Sequence, residues 1–230
     1  MGIISDDLYK SLFHACGGEY RSEYISPNNV ECIQNIELYE QSIYGIQAPQ
    51  VLEPYCGHVW LIKLPTQKPL KEHTRLSSVK CRFNEYKLVY YWINDANVQE
   101  ALHVRKETIE EWIRCPDLNF TITTYDVRQY HLSLSNKGYR SLIYSGDHDM
   151  VIPHQSTQAW TKDLNYSVID QWRQWKHNNQ IAGYTQSYSN MMTFATVKAS
   201  NLNGGGHTAP QYKPEECFAM FKRWISNQPL

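Results

Sequence analysis

The stretch SGDHDMVIPH, residues 145–154, places two aspartates on either side of a histidine, directly after the apolar run LIY at residues 142–144. A short apolar run that ends in Ser-Gly-Asp is typical of a strand buried on both faces, and residues 154–164 then predict a helix. Residues 192–197 predict a second buried strand, and a helix at residues 214–227 follows it after a loop. Strand, loop and helix, twice in this order, predict an α/β fold with a parallel sheet.

The first half of the chain has a helical pattern instead. Apolar residues at helical spacing predict four helices there, over residues 6–16, 29–43, 94–102 and 107–113. Residues 45–80 are rich in Pro, Gln, Lys and Ser and predict a loop. Because the pattern changes after about residue 120, we expect a helical region over residues 1–120 and an α/β region over residues 121–230.

Composition argues against two classes of function. The 230 residues contain 22 Lys and Arg against 23 Asp and Glu, with no basic run. A chain with this balance does not attract a phosphate backbone or anionic lipid, so neither nucleic acid nor a membrane is predicted as a partner. With 42% hydrophobic residues, the chain can form one large core or two small ones.

Six separated cysteines form no C-x-x-C pair, which favours disulfides over a zinc or redox site. Sequons at Asn119 and Asn165 agree with a secretory environment. The N-terminal stretch MGIISDDLYK nevertheless lacks the basic and long apolar regions of a signal peptide. This mismatch predicts that the beginning of the protein is missing from the sequence.

Two loops qualify as a functional site, because side chains that perform chemistry gather at the carboxyl ends of the strands in an open α/β sheet. One loop carries Asp149, and the other carries His207 behind three glycines. An acid followed by a histidine on a later strand's loop is the order of the α/β-hydrolase triad after its serine. Glycines beside the histidine permit positive φ and close backbone approach.

Other interpretations of these loops stay open from the residues alone. A tight turn and a core histidine would also account for them. Asp147, His148 and Asp149 are metal-ligand types, but adjacent residues on an extended loop point in different directions and rarely bind one ion. The glycines lack the Lys-Ser/Thr of a phosphate loop. We therefore predict no metal and no cofactor, and the sequence contains no G-x-S-x-G that would supply a nucleophile.

Three stretches resemble a known family: YRSLIYSGDHDMVIP at 139–153, WRQWKHNNQIAGYTQSYSNMMTFATVK at 172–198 and GGGHTAPQYKPEECFAMFKRWISNQPL at 204–230. Together they resemble the C-terminal part of plant serine carboxypeptidase-like proteins, and MGIISDDLYKSLFHAC and NVQEALHV extend the resemblance over essentially the whole chain. The resemblance implies an α/β-hydrolase fold in which residues 1–120 form a mainly helical cap and residues 121–230 the last part of the core. The N-terminal half, with the G-x-S-x-G serine, is then absent.

The resemblance also assigns roles to single residues. The second aspartate of GDxD is the family's triad acid and the histidine after the glycines its base, which selects Asp149 and His207, while Asp147 shapes the turn. The expected disulfides join Cys16 to Cys32 and Cys56 to Cys81, the partner of Cys115 lies upstream, and Cys217 is a buried apolar residue. The family is vacuolar or extracellular and often glycosylated, which makes Asn119 and Asn165 glycosylation candidates.

Two activities compete within the family. Acyltransferases move a phenylpropanoid-type acyl group from a glucose ester to an acceptor, and carboxypeptidases hydrolyse the C-terminal residue of a peptide. The string GGGHTA at 204–209 is more similar to the acyltransferases, so an acyl glucose ester and an acceptor are the expected partners and a peptide is the alternative.

Family members run from ATVK straight into GGGH, whereas here ASNLN at 199–203 intervenes. A fragment that acts only by binding, for example to the missing N-terminal half, is a further alternative.

Overall fold

The computed structural model describes residues 2–20, 24–55, 83–105, 111–113, 116, 120–198 and 204–230. Four helices come first in the described chain: α1 (Asp6–Cys16), α2 (Val30–Ile43), α3 (Phe83–Ile93) and α4 (Ala96–Ala101). The remaining elements are α5 (Arg128–Asn136), β1 (Ser141–Gly146), α6 (His154–Asp163), β2 (Val168–His177), β3 (Gln180–Tyr188), β4 (Met192–Val197), α7 (Ala209–Tyr212) and α8 (Pro214–Ile225). The predicted division at residue 120 stays a prediction.

The four strands form one sheet in the order β1-β4-β3-β2. β1 and β4 are parallel, whereas β3 is antiparallel to both β4 and β2. The sheet is therefore mixed: the two predicted strands, β1 and β4, are parallel neighbours, and an unpredicted hairpin of β2 and β3 lies between them in the chain. Asn178 and Asn179 make its two-residue turn with φ of 48° and 61°, a conformation that asparagine tolerates better than most residues.

β4 lies at the centre of the core, because β1 and β3 cover its two edges and helices and side chains cover its faces. Phe194, Ala195 and Val197 are fully buried there. Trp175 of β2 reaches across the sheet, and its indole N–H donates to the Thr196 carbonyl at 2.9 Å. Cys217 and Met220 of α8 pack against the same cluster, so the last helix is fixed to the sheet.

The helix predicted over residues 94–102 begins at a different N-cap in the structure. Asn94 was the expected N-cap, but Asp95 caps α4 by accepting from the N–H groups of Asn97 and Val98. The Asn94 amide instead donates to the Trp112 carbonyl at 3.0 Å and accepts from its N–H at 2.8 Å. α3 was not predicted, and residues 111–113, the described end of the predicted 107–113 helix, are not helical.

A disulfide joins the C-terminal end of α1 to the start of α2, between Cys16 and Cys32. Asn29, the N-cap of α2, also donates from its side-chain amide to the Ala15 carbonyl at 2.8 Å. The two helices are therefore connected covalently and through a cap. Cys56 and Cys81, the second expected pair, lie outside the described residues. None of the described helices combines the length and the apolar character that crossing a bilayer requires.

Removing this disulfide tests how far the helical pair depends on it. The bond closes a loop with a sequence separation of 16 residues. Loop closure of this size is worth about 3 kcal/mol, so the double variant C16S/C32S is expected to lower the free energy of unfolding by about that amount. Urea unfolding followed by circular dichroism measures the change. A loss of less than about 1 kcal/mol would contradict the prediction.

Candidate active site

The acid of the candidate site lies in the turn after β1. The Asp149 side chain is 5% exposed. Its Oδ1 accepts hydrogen bonds from the backbone N–H groups of Val151 at 2.8 Å and Ile152 at 3.2 Å. An aspartate at the start of a turn makes such bonds readily, because its short side chain reaches the N–H two residues on. The turn therefore fixes one carboxylate oxygen and leaves the other available.

The available oxygen, Asp149 Oδ2, lies 2.8 Å from His207 Nδ1. A carboxylate only accepts, so Nδ1 carries the proton, and Nε2 of the neutral ring has its lone pair free. The His207 side chain is 40% exposed, and Nε2 has no hydrogen-bond partner among the described residues. The pair therefore presents a basic nitrogen whose tautomer and direction are set by a buried carboxylate.

Sheet register explains why the two loops meet. In the parallel pair, Ser145 lies opposite Thr196 and Gly146 opposite Val197, so β1 and β4 end at the same level. Beyond that level the backbones stay joined, since the Asp147 N–H donates to the Val197 carbonyl at 3.1 Å. The His148 N–H likewise donates to the Gly205 carbonyl at 2.9 Å. The loop that carries Asp149 (residues 147–153, here called the acid loop) and the loop that carries His207 (residues 204–208, here called the base loop) thus continue the strand pairing past the end of the sheet.

The glycines of this region serve close packing. A Cβ on Gly146 would lie 2.2 Å from the Gly205 carbonyl oxygen, and one on Gly205 would lie 2.0 Å from that of Val197. Gly205 and Gly206 do not adopt the positive φ that glycine permits, so this part of the expectation is not realised at these two positions. Their contribution is the absence of a side chain, because the base loop lies directly on the acid loop.

Residues 48–51, here called the strap, hold both loops from the N-terminal region. Their main chain makes three hydrogen bonds to these loops: Met150 N to Ala48 O at 2.9 Å, Val51 N to His148 O at 3.2 Å and His207 N to Pro49 O at 2.7 Å. The sequence predicted a loop over residues 45–80, and its described part, 45–55, contains no helix or strand. The strap was missed because no local pattern shows which distant segments a loop contacts.

Asp147 and His148 form a separate pair, with Asp147 Oδ1 lying 2.6 Å from His148 Nδ1. The two aspartates and the histidine between them are thus divided between two contacts. Within the described ranges, no group of three or more His, Cys, Asp or Glu is arranged to hold a metal ion. Behind this pair, burial lowers the pKa of His154, the first residue of α6.

Cys217 is a free, buried thiol on α8. Burial raises its pKa to about 12, with a smaller contribution from the negative charge of Glu216. We expect iodoacetamide at pH 8 to alkylate Cys217 far more slowly in the native protein than in denaturant, because only the thiolate reacts. Peptide mass spectrometry measures the rate of alkylation, and equal rates in the native protein and in denaturant would contradict the prediction.

The free energy of unfolding should also fall above about pH 9, since the thiol of Cys217 loses its proton at a lower pH in the unfolded chain than in the folded one.

Comparison with known proteins adds the family. The serine carboxypeptidase family profile matches residues 1–227. The chain belongs to the serine carboxypeptidase family. It is 44% identical to serine carboxypeptidase-like 5 of Arabidopsis thaliana over 234 residues, and 46% identical to serine carboxypeptidase-like 10 of the same plant over 235 residues.

Both serine carboxypeptidase-like relatives are longer than this chain. The alignments include 100% of this chain but 46% and 48% of the two relatives, so the chain spans about half the length of the relatives it matches. The family implies an α/β-hydrolase fold, with which the mixed sheet and its helices agree. Cys115, Asn119 and the five residues at 199–203 lie, like Cys56 and Cys81, outside the described residues.

Proposed function

We propose that Asp149 and His207 are the acid and the base of a Ser-His-Asp relay that transfers an acyl group from a glucose ester to an acceptor. The observation that carries the proposal is the 2.8 Å contact between His207 Nδ1 and the buried Asp149 Oδ2. A carboxylate in this position holds the ring in one tautomer and stabilises the imidazolium that forms when Nε2 takes a proton. Membership of the serine carboxypeptidase family supports the same assignment.

The chemistry has two halves. The serine Oγ attacks the ester carbonyl while His207 Nε2 takes the hydroxyl proton, and the glucose oxygen leaves with that proton as the carbonyl re-forms on the acyl-enzyme. The acceptor hydroxyl then gives its proton to Nε2 and attacks the acyl group, and the serine leaves with the proton. Asp149 stays ionised throughout, because its role is to hold and stabilise the ring.

The nucleophile in this proposal comes from residues outside this sequence, here called the serine-bearing segment. The 230 residues contain no G-x-S-x-G, and the relatives are about twice as long. β1 lies at the edge of the described sheet, with β4 on one side and no strand on the other. A further strand that pairs with this edge would bring the missing half of the core beside Asp149, and the helices of residues 1–120 would cover the site as a cap.

Acyl transfer is preferred to proteolysis because GGGHTA at 204–209, together with NNQIAGYTQSYSN at 178–190, resembles the acyltransferase branch. The test uses a completed enzyme, in which this chain is fused to the part of serine carboxypeptidase-like 5 that it does not match. With a phenylpropanoid glucose ester and an alcohol acceptor, we expect a new ester detected by chromatography. Release of the C-terminal residue from a blocked dipeptide, with no ester product, would favour the carboxypeptidase alternative.

A second candidate is a protein that acts by binding. The observation that favours it is the apolar surface of α8, where Phe218 is 66% and Phe221 49% exposed. Apolar side chains at this density mark a surface that another chain or segment covers. If the completed enzyme folds and shows no turnover with either substrate, this candidate replaces the relay.

We propose an oxidising compartment, vacuolar or extracellular, as the place where the protein acts. The Cys16–Cys32 disulfide supports this, since such bonds are rare in the reducing cytosol. Asn165, the candidate glycosylation site that the structure describes, is exposed directly after α6. Protein from plant tissue should therefore lose mass at the Asn165 peptide on enzymatic deglycosylation, and an unmodified peptide would argue against this site.

A further inference from the structure

Gln50 is fully buried between the strap and the base loop, at 0% exposure. Its Nε2 donates to the Gly204 carbonyl at 2.7 Å, and its Oε1 accepts from the Leu52 N–H at 3.3 Å. A buried amide side chain is stable only when such partners are present. Both ends of this amide are therefore used, and one of them connects two segments 154 residues apart in sequence.

Gly204, whose carbonyl accepts the bond from Gln50, lies at one end of the loop that carries His207. Gly204 directly follows residues 199–203 and precedes His207 by three residues. The Gln50 amide fixes the base loop at this end. The Pro49 carbonyl fixes the other end of the same loop by accepting from the His207 N–H at 2.7 Å.

The strap also holds the acid loop on both sides of Asp149, through the carbonyl of His148 and the N–H of Met150. One short segment therefore contacts His207 itself and both neighbours of Asp149, the other member of the Asp149–His207 dyad. A shift of the strap relative to the base loop would change the distance between Asp149 Oδ2 and His207 Nδ1, because the acid loop moves with the strap.

We propose that Gln50 is a positioning residue, whose amide sets the base loop against the strap and so keeps His207 within hydrogen-bonding distance of Asp149. The inference rests on the proposed function for its catalytic consequence, but the geometry it concerns exists without catalysis. It differs from a role in simple packing, for which any side chain of the same size would suffice.

The first test follows the dyad without requiring activity. In Gln50→Met the side chain keeps a similar length and loses both hydrogen-bonding ends. Nuclear magnetic resonance of the ¹⁵N-labelled chain detects the ring Nδ1–H of His207, assigned by its absence in His207→Ala. We expect this proton to exchange with water at least about tenfold faster in Gln50→Met than in the wild type. Gln41→Met, the same change on the exposed face of α2, is the control and should leave the rate unchanged.

The second test uses the completed enzyme. An error of about 1 Å in a catalytic group lowers rate by about 10²-fold, so Gln50→Met should lower kcat by roughly 10- to 100-fold. KM should stay within about twofold, because Gln50 touches no substrate. Thermal unfolding establishes whether Gln50→Met is folded. If Gln50→Met does not fold, Gln50→Glu is used in its place, because it keeps the size and the acceptor but removes the N–H donor.

The outcomes distinguish the positioning role of Gln50 from the proposed Ser-His-Asp relay. A folded Gln50→Met with wild-type proton exchange and wild-type kcat overturns the positioning role and leaves the relay standing. Failure of both Gln50 variants to fold also overturns it, since Gln50 is then a general core residue. If Asp149→Asn leaves turnover intact, the proposed function fails, whereas faster exchange in Gln50→Met would still support Gln50 as the residue that positions the dyad.

Discussion

Asp149→Asn in the completed enzyme is expected to reduce kcat by about 10⁴-fold. An amide in place of the carboxylate presents either a weak acceptor or an N–H donor to His207 Nδ1, 2.8 Å away in the native protein. The donor would favour the tautomer that protonates Nε2 and so removes the base. Burst kinetics with 4-nitrophenyl acetate measure formation of the acyl-enzyme separately from its breakdown.

Asp147→Asn is the matched control for this variant. Asp147 lies two residues away in the same turn and contacts His148 instead of His207. We expect it to change kcat by less than about tenfold, because the His207 tautomer does not depend on it. Equal losses in the two variants would show that the turn as a whole, and not the Asp149 carboxylate, supports the reaction.

Gly146→Ala is expected to have the second largest effect, about a 10²-fold loss in kcat. The added Cβ would lie 2.2 Å from the Gly205 carbonyl oxygen and 2.4 Å from that of Gly206. Both atoms belong to main chain, so relief requires the base loop to move by about an ångström rather than one side chain to rotate. Overpacking of this kind also destabilises a fold by about 1–3 kcal/mol.

The control for Gly146→Ala is Gly138→Ala, shortly before β1. No atom lies within 4 Å of a Cβ at Gly138, but its φ of 81° is unfavourable for alanine. That variant should lose roughly 1–2 kcal/mol of stability from the strained backbone and keep its kcat. A Gly146→Ala enzyme with wild-type kcat would mean that the two loops separate without disturbing the dyad, which contradicts the packing described above.

The sequence predicted those helices and strands whose apolar pattern lies within a few consecutive residues. The apolar runs that become β1 and β4, and the helix that begins at Pro214, carry their signals in this way. The β2–β3 hairpin was missed although Asn178 and Asn179 are typical turn residues, because Arg, Gln, Lys and His interrupt the alternation of β2. Six of the ten residues of β2 are exposed at the edge of the described sheet, so its pattern is set by position in the sheet, which sequence alone does not reveal.

At the candidate site, too, the sequence predicted features with a local pattern and missed contacts between distant segments. The sequence paired Asp149 with His207 because each follows a predicted strand in the chain order of the α/β-hydrolase triad, and the structure brings the two side chains to 2.8 Å from each other. Their roles as acid and base stay a prediction. The strap was not predicted, because Gln50 contacts the base loop across 154 residues and no local pattern records such a contact. Likewise, the packing role of Gly146 depends on where the Gly205 carbonyl lies, so the sequence indicated only that glycines were needed.

Labelling with a fluorophosphonate, which reacts with an activated serine, tests the central claim most directly. The claim is that this chain supplies the base and the acid while the serine-bearing segment supplies the nucleophile. We predict no label on this chain alone, label on the serine of the completed enzyme, and loss of that label in both His207→Ala and Asp149→Asn. Label on this chain alone, or label in the completed enzyme that survives His207→Ala, would contradict the account.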